Sequence, residues 1–163
     1  MASFRADLID GMLAEESISD HVGKRVYPII FIFEDMKNTA ANSRQFPRIT
    51  VEQVTREKED NLSEFSCLVT STMQISLFHE VHVKSLKNRS ESRKLAERNK
   101  IRTSLDELFD AVETYLEGLR VTTVGDHFVR RSRISNSIEE EFQIDRNRTI
   151  LANRIIYEVV YSK

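Results

Sequence analysis

The chain has 163 residues, 24 Lys and Arg against 26 Asp and Glu, a net charge of −2, one cysteine, two prolines and four glycines. That length suits a single domain over 1–163 with a real hydrophobic core, the near-neutral charge excludes a general polyanion binder, and so little Pro and Gly excludes linkers, solenoids and low-complexity tails. Met1–Arg5 lacks the apolar run of a signal peptide and the longest apolar stretch, Pro28 to Phe33, is too short to span a bilayer, so a soluble protein made in a reducing cytoplasm is expected.

Phe4, Leu8, Ile9, Met12 and Leu13 recur at helical spacing, with Ser3 as the capping residue. Gly23 ends this helical region after Ile18 and Val22. Pro28 enforces an extended approach to a short buried strand, Ile29 to Phe33, and residues 36–46 read as a loop. Pro47 opens the next strand, with Ile49 and Val51 facing inward. Residues 65–77 then alternate most clearly: Phe65, Cys67, Val69, Met73, Ile75 and Leu77 on one face, with polar residues between them. Cys67, on the apolar face, reads as a core thiol. Residues 48–79 therefore form an antiparallel hairpin whose tip carries Glu57, Lys58, Glu59 and Asp60. A strand from Glu64 to His79 would span roughly 50 Å at about 3.3 Å per residue. It must bend strongly or project from the domain, and a projecting tip would contact another chain.

The next helix carries one apolar stripe: Ile101, Leu105, Leu108, Phe109, Val112, Leu116 and Leu119. Continued backwards, the stripe meets Arg98 and Lys94, so the helix outruns its core by about three turns. Its charges oppose the macrodipole, with bases from Lys84 to Arg102 and Asp106, Glu107, Asp110, Glu113 and Glu117 beyond. A rival reading restarts the helix at Ser104, which forms a capping box with Glu107. Arg93, Lys94, Arg98 and Arg102 are the candidate contacts for an acidic neighbour, against a solvated face or a phosphate-only nucleic-acid contact.

A meander is expected in the last third. Asn136 would centre a turn, pairing Ile134 with Ile138, Phe128 with Ile144, Arg133 with Glu139 and Arg131 with Glu141. Asp145 to Arg148 makes the following turn, and Leu151, Ile155, Tyr157, Val159 and Tyr161 alternate along the final strand. The fold class is α+β, a mostly antiparallel sheet with a long hairpin, packed against two main helices.

Catalytic signals are weak. His79-Glu80-Val81-His82 lacks the His-Glu-x-x-His spacing of a zinc protease, and its histidines point to opposite faces of a strand. Glycine-rich phosphate loops and nucleophile elbows are missing from the sequence. No catalytic residue, metal ligand or cofactor is expected, and the chain is read as a non-enzyme.

The order of elements resembles tail terminator (tail completion) proteins of tailed bacteriophages. The resemblance rests on the opening helix with Leu8-Ile9 and Leu13, on Val22-Gly23-Lys24-Arg25-Val26-Tyr27-Pro28, and on Phe46-Pro47-Arg48-Ile49-Thr50-Val51. It continues through Gln74 to Phe78, the helix from Arg102 to Leu119 and a sheet-forming tail. The chain departs from the pattern in a longer 29–45 segment and in the charged 84–102 stretch. The resemblance implies a virion protein of the tail or neck, assembled in the host cytoplasm. It would form a ring, typically six-fold, that caps the tail tube, ends its growth and meets the head connector. The implied partners are further copies of itself, the tail tube protein and the head–tail connector protein, with no membrane and with DNA only passing through the lumen. Two other readings stay open: another head–tail junction component (neck, connector or sheath terminator), and a small cytoplasmic enzyme or ligand-binding protein.

Overall fold

The computed structural model describes residues 3–28, 46–59, 68–82, 90–145 and 148–163. The expected strand Ile29–Phe33, the loop up to residue 45, Asp60, Cys67 and the bases Lys84, Lys87 and Arg89 lie outside the described residues. The elements are α1 (Phe4–Ala14), α2 (Glu16–Val22), β1 (Val26–Tyr27), β2 (Arg48–Glu59), β3 (Leu68–His82), α3 (Glu91–Gly118), β4 (Thr123–Val124), β5 (His127–Asp145) and β6 (Arg148–Ser162). The strands form one sheet in the order β1-β2-β3-β6-β5-β4. β1 runs parallel to β2, and every other neighbouring pair is antiparallel.

Ser3 caps α1 as expected, its hydroxyl accepting from the Ala6 N–H at 3.2 Å. Gly23 ends α2 at φ +59°, a backbone conformation that side chains resist. The three helices cover one face of the sheet. Alternate residues of the central strands meet them there: Ile49 and Val51 of β2, Met73, Ile75 and Leu77 of β3, and Ile155, Tyr157 and Val159 of β6. Phe4, Leu8 and Met12, Ile18 and Val22, and Leu105, Leu108, Val112 and Leu116 close the core from above. Each such buried side chain contributes about 1.5–3 kcal/mol, and this core is what holds the helices to the sheet.

The opposite face carries a smaller cluster of Phe46, Phe78, Ile144, Ile150 and Ala152, with Phe142 packed on it. Phe78, Ile150 and Ala152 reach that face because they alternate with Leu77 and Leu151. The buried Glu80 and Arg148 side chains sit in the same region with Nε and Oε1 3.7 Å apart.

β3 is paired with β6 from Leu68 to His82 and with β2 from Leu68 to Phe78, so over that length it lies inside the sheet, and residues 60–67 lie outside the described residues. The expected meander is corrected: β5 is one strand of 19 residues without a turn at Asn136. Ile134 pairs with Tyr157, Asn136 with Ile156, Ile138 with Arg154 and Phe128 with Ser162, all across to β6. The ion pairs move with the register: Arg133 meets Glu158 at 2.5 Å and Glu140 meets Arg154 at 2.7 Å, while Glu141 reaches Arg98. Asp145 does pair with Arg148 at the end of the β5–β6 hairpin.

Candidate assembly interface

α3 runs unbroken through Ser104, so the capping-box restart does not occur. Its buried positions begin at Leu105, and from Glu91 to Lys100 no residue is buried. The amino-terminal half is held instead by charges. Arg98 pairs with Glu141 of β5, Lys94 Nζ lies 3.2 Å from Glu91 of its own helix, and an Arg102 guanidinium nitrogen donates to Asn153 Oδ1 at 3.4 Å. Arg93 and Leu95 are exposed, Leu95 at 59%. Of the four bases expected to meet a neighbour, Arg98 and Arg102 thus turn toward the sheet and Arg93 faces outward.

The candidate tip residues Glu57 and Lys58 are exposed near the end of β2, and Glu59 is its last residue. They lie at a sheet edge. β1 covers β2 at Ile49 and Thr50, and from Glu52 onward β2 has no further strand beside it among the described residues. The other edge is similar: β4 covers β5 at His127 and Phe128, and Val129 bonds to Thr122 at 2.8 Å. Beyond that point β5 has no outer neighbour strand among the described residues. Between the edges, on the face away from the helices, lies a trough of about 650 Å³. Thr55, Glu57, Thr72, Arg131, Arg133 and Glu158 line it, with Arg120 from the turn after α3. The Glu158 hydrogen bond raises the Arg133 pKa.

A constellation the sequence did not disclose joins the two ends of the chain. Asp7 Oδ2 lies 2.7 Å from His127 Nδ1, both side chains being 8% exposed, and it also accepts from the Asp126 N–H at 3.3 Å. The Phe4 ring stacks on Tyr161 at 4.3 Å, and His127 meets both rings edge-on. A Cβ on Gly125 would fall 2.2 Å from Asp7 Cγ, so glycine is required where the β4–β5 turn approaches the carboxylate. Asp7 and His127 stand 120 residues apart, and no spacing rule links them. The pair and the stacked rings tie α1 to the β4–β5 turn and to the end of β6, and Asp7 also borders a pocket of about 360 Å³ with Asp10, Gly11, Tyr115 and Gly125. A similar close approach occurs where Tyr115 Oη would stand 2.0 Å from a Cβ on Gly11. Burial, then Tyr157 and Glu15, pushes that phenol up to about 12.

His79 is half-buried, and its Nδ1 accepts from the Glu80 N–H at 2.9 Å. Burial lowers its pKa, and the nearby Arg25 and His21 charges act in the same direction. Among the described residues no three His, Cys, Asp or Glu side chains gather as metal ligands would. No helix there is long and apolar enough to cross a membrane.

No family model matches the chain, and no curated protein matches it in sequence. A chain of the virion of a native gene transfer agent (GTA) particle is similar in structure, with a TM-score of 0.57 over 98% of this chain and 94% of its own, at 10% identity. At that identity the likeness is one of fold, and it extends over nearly the full length of both chains.

Proposed function

We propose that the chain is a structural subunit of a phage-like particle, without turnover chemistry, and that its place is the tail terminator ring. The observation that carries this reading is the fold shared almost end to end with a chain of a gene transfer agent virion. The sequence pattern supports the finer assignment: the helix, Pro-opened hairpin, helix and sheet-forming tail follow the order of tail terminators. Two long edge strands, each only partly covered among the described residues, suit a subunit that meets neighbours on both sides. In this reading copies of the chain close a ring, typically six-fold, on the end of the tail tube, and the ring's far side meets the head connector. The basic half of α3, with Arg93 outward, and the Glu57–Lys58 end of β2 supply the contacts.

Negative-stain imaging of the purified protein mixed with tail tubes tests the assignment. A ring on one end of each tube, with tube growth stopped, is expected. Binding to isolated connectors without binding to tubes would move the protein to the neck. Failure to bind any particle component would overturn the structural role.

A further inference from the structure

The two sheet edges match each other in residue count over one interval. The ladders place Glu57 level with Thr70, Val160 and Arg131, and Glu52 level with Gln74, Ile156 and Asn136. Between those two levels β3 takes four residue steps, whereas both edge strands take five. β2 carries its extra residue at Val54 and β5 carries its own at Ser135, each at a register shift. Strands with different residue counts could not pair continuously across this interval; these two can. Direction fits as well. Three successive antiparallel pairings leave β2 and β5 running oppositely, so a β2 placed beside the outer edge of β5 extends the sheet in the antiparallel sense.

The side chains are complementary in that register. Arg131 falls opposite Glu57, Arg133 opposite Thr55, Ile134 opposite Gln53 and Asn136 opposite Glu52, while the two extra residues, Val54 (53% exposed) and Ser135, flank the Gln53–Ile134 level on either side. The match ends at Glu57 because β5 shifts register again between Val129 and Arg131. An exposed edge of this length invites pairing. A second copy of the same chain brings the same residue count over the interval, the antiparallel direction and the complementary charge.

We propose that copies of this chain join head to tail through their sheet edges, residues 131–136 of β5 in one copy pairing with residues 52–57 of β2 in the next. The contact is heterologous, so it generates a ring or an open helix according to the rotation per copy. The trough beside Arg131 and Glu57 then continues from copy to copy along the face away from the helices. This inference rests on the ring reading above and names the surface that builds it.

Disulfide trapping tests it on a Cys67→Ser background, which removes the native thiol. Directly opposed antiparallel residues have Cα atoms about 4.5–5.5 Å apart, within disulfide range. A variant carrying both Glu57→Cys and Arg131→Cys should give, on mild oxidation, a ladder of covalent multimers. The ladder should stop at the mass of the native assembly, and either single variant should stay monomeric on a denaturing gel. Absence of the ladder, whether the wild type assembles or stays monomeric in native mass spectrometry, overturns edge pairing. Dimers from Glu57→Cys alone overturn it too, since they require β2 to meet β2. A ladder that grows without limit supports edge pairing and removes the closed ring. Charge exchange gives a second readout: Glu57→Arg or Arg131→Glu alone should weaken assembly at least tenfold, and the two together should restore it.

Discussion

The two faces of the sheet divide the work of the molecule. On the helix side, Ile75, Leu77, Ile155 and Tyr157 meet Leu8, Met12, Leu105 and Leu108 in a continuous apolar layer. On the other side, five buried apolar residues gather at one end around Phe78 and Ile150, and threonine, arginine and glutamate side chains line a trough beyond them. Burial of apolar area is non-directional and stabilises any packing that excludes water. Charge pairs at an exposed edge contribute little to stability and much to the choice and register of a partner. The first face makes the subunit fold, and in the assembly proposed above the second, with its edges, recognises a neighbour.

Substitution at the helix face should produce the largest loss. Leu108 of α3 is completely buried, and Leu108→Ala should cost about 2–5 kcal/mol from lost transfer energy and the remaining cavity. A chemical denaturation midpoint measures it, and a loss below about 1 kcal/mol would mean that α3 is not anchored by this stripe. Next is the clamp between chain ends. Asp7→Ala leaves the His127 Nδ1 and the Asp126 N–H without their acceptor and should cost about 1–3 kcal/mol. Asp7→Asn, which keeps an oxygen acceptor, should cost less. Equal losses would show that shape rather than hydrogen bonding matters there.

The contrast between the faces also explains what the sequence revealed. The stripe from Leu105 to Leu116, the Ser3 cap and the alternation in β3 and β6 are local periodicities created by one apolar side, and each was legible. β5 was not. It is an edge strand exposed over most of its length, and its register shifts at Val129/Arg131 and Ile134/Asn136 reset which residues face the helices. Its alternation therefore breaks into pieces that resemble two strands. Its arginines and glutamates also fit each other across an imagined turn as well as they fit Glu158, Arg154 and Arg98, which lie in other elements. Of the candidate contacts, the exposure of Glu57, Lys58 and Arg93 was legible from charge. The inward turn of Arg98 and Arg102 depends on where α3 crosses the sheet, which no local pattern encodes.

A smaller effect on folding is read through pH. Burial holds the His79 pKa below its ordinary 6.5, so on acidification the unfolded chain takes up this proton before the folded one. The stability linked to His79 is therefore fully present above about pH 6.5 and is lost as pH falls through that value toward the lower folded-state pKa. Urea midpoints for the wild type and His79→Gln should converge as pH falls from roughly 7.5 to 5.5. A constant difference between them would show that His79 does not titrate on unfolding.

The smallest effect on stability should accompany the largest on attachment, and α3 provides the pair of residues that separates them. Arg98 and its partner Glu141 have side chains 48% and 40% exposed, so Arg98→Gln should cost about 0.2–1 kcal/mol. Arg93 is exposed on the outward side of the same helix, beyond the first buried position at Leu105. Bases near a helix amino terminus oppose the macrodipole by roughly 0.3–1 kcal/mol each. Removing one should not destabilise the subunit, and Arg93→Glu should leave the melting temperature unchanged or slightly higher. If an acidic surface of a neighbouring subunit or of the tube lies against this helix, the same change should abolish co-sedimentation with tubes at physiological salt. Arg98→Gln, whose charge is already met by Glu141, should reduce it far less. Unchanged co-sedimentation of Arg93→Glu would make this half of α3 a solvated face and leave recognition to the sheet edges alone.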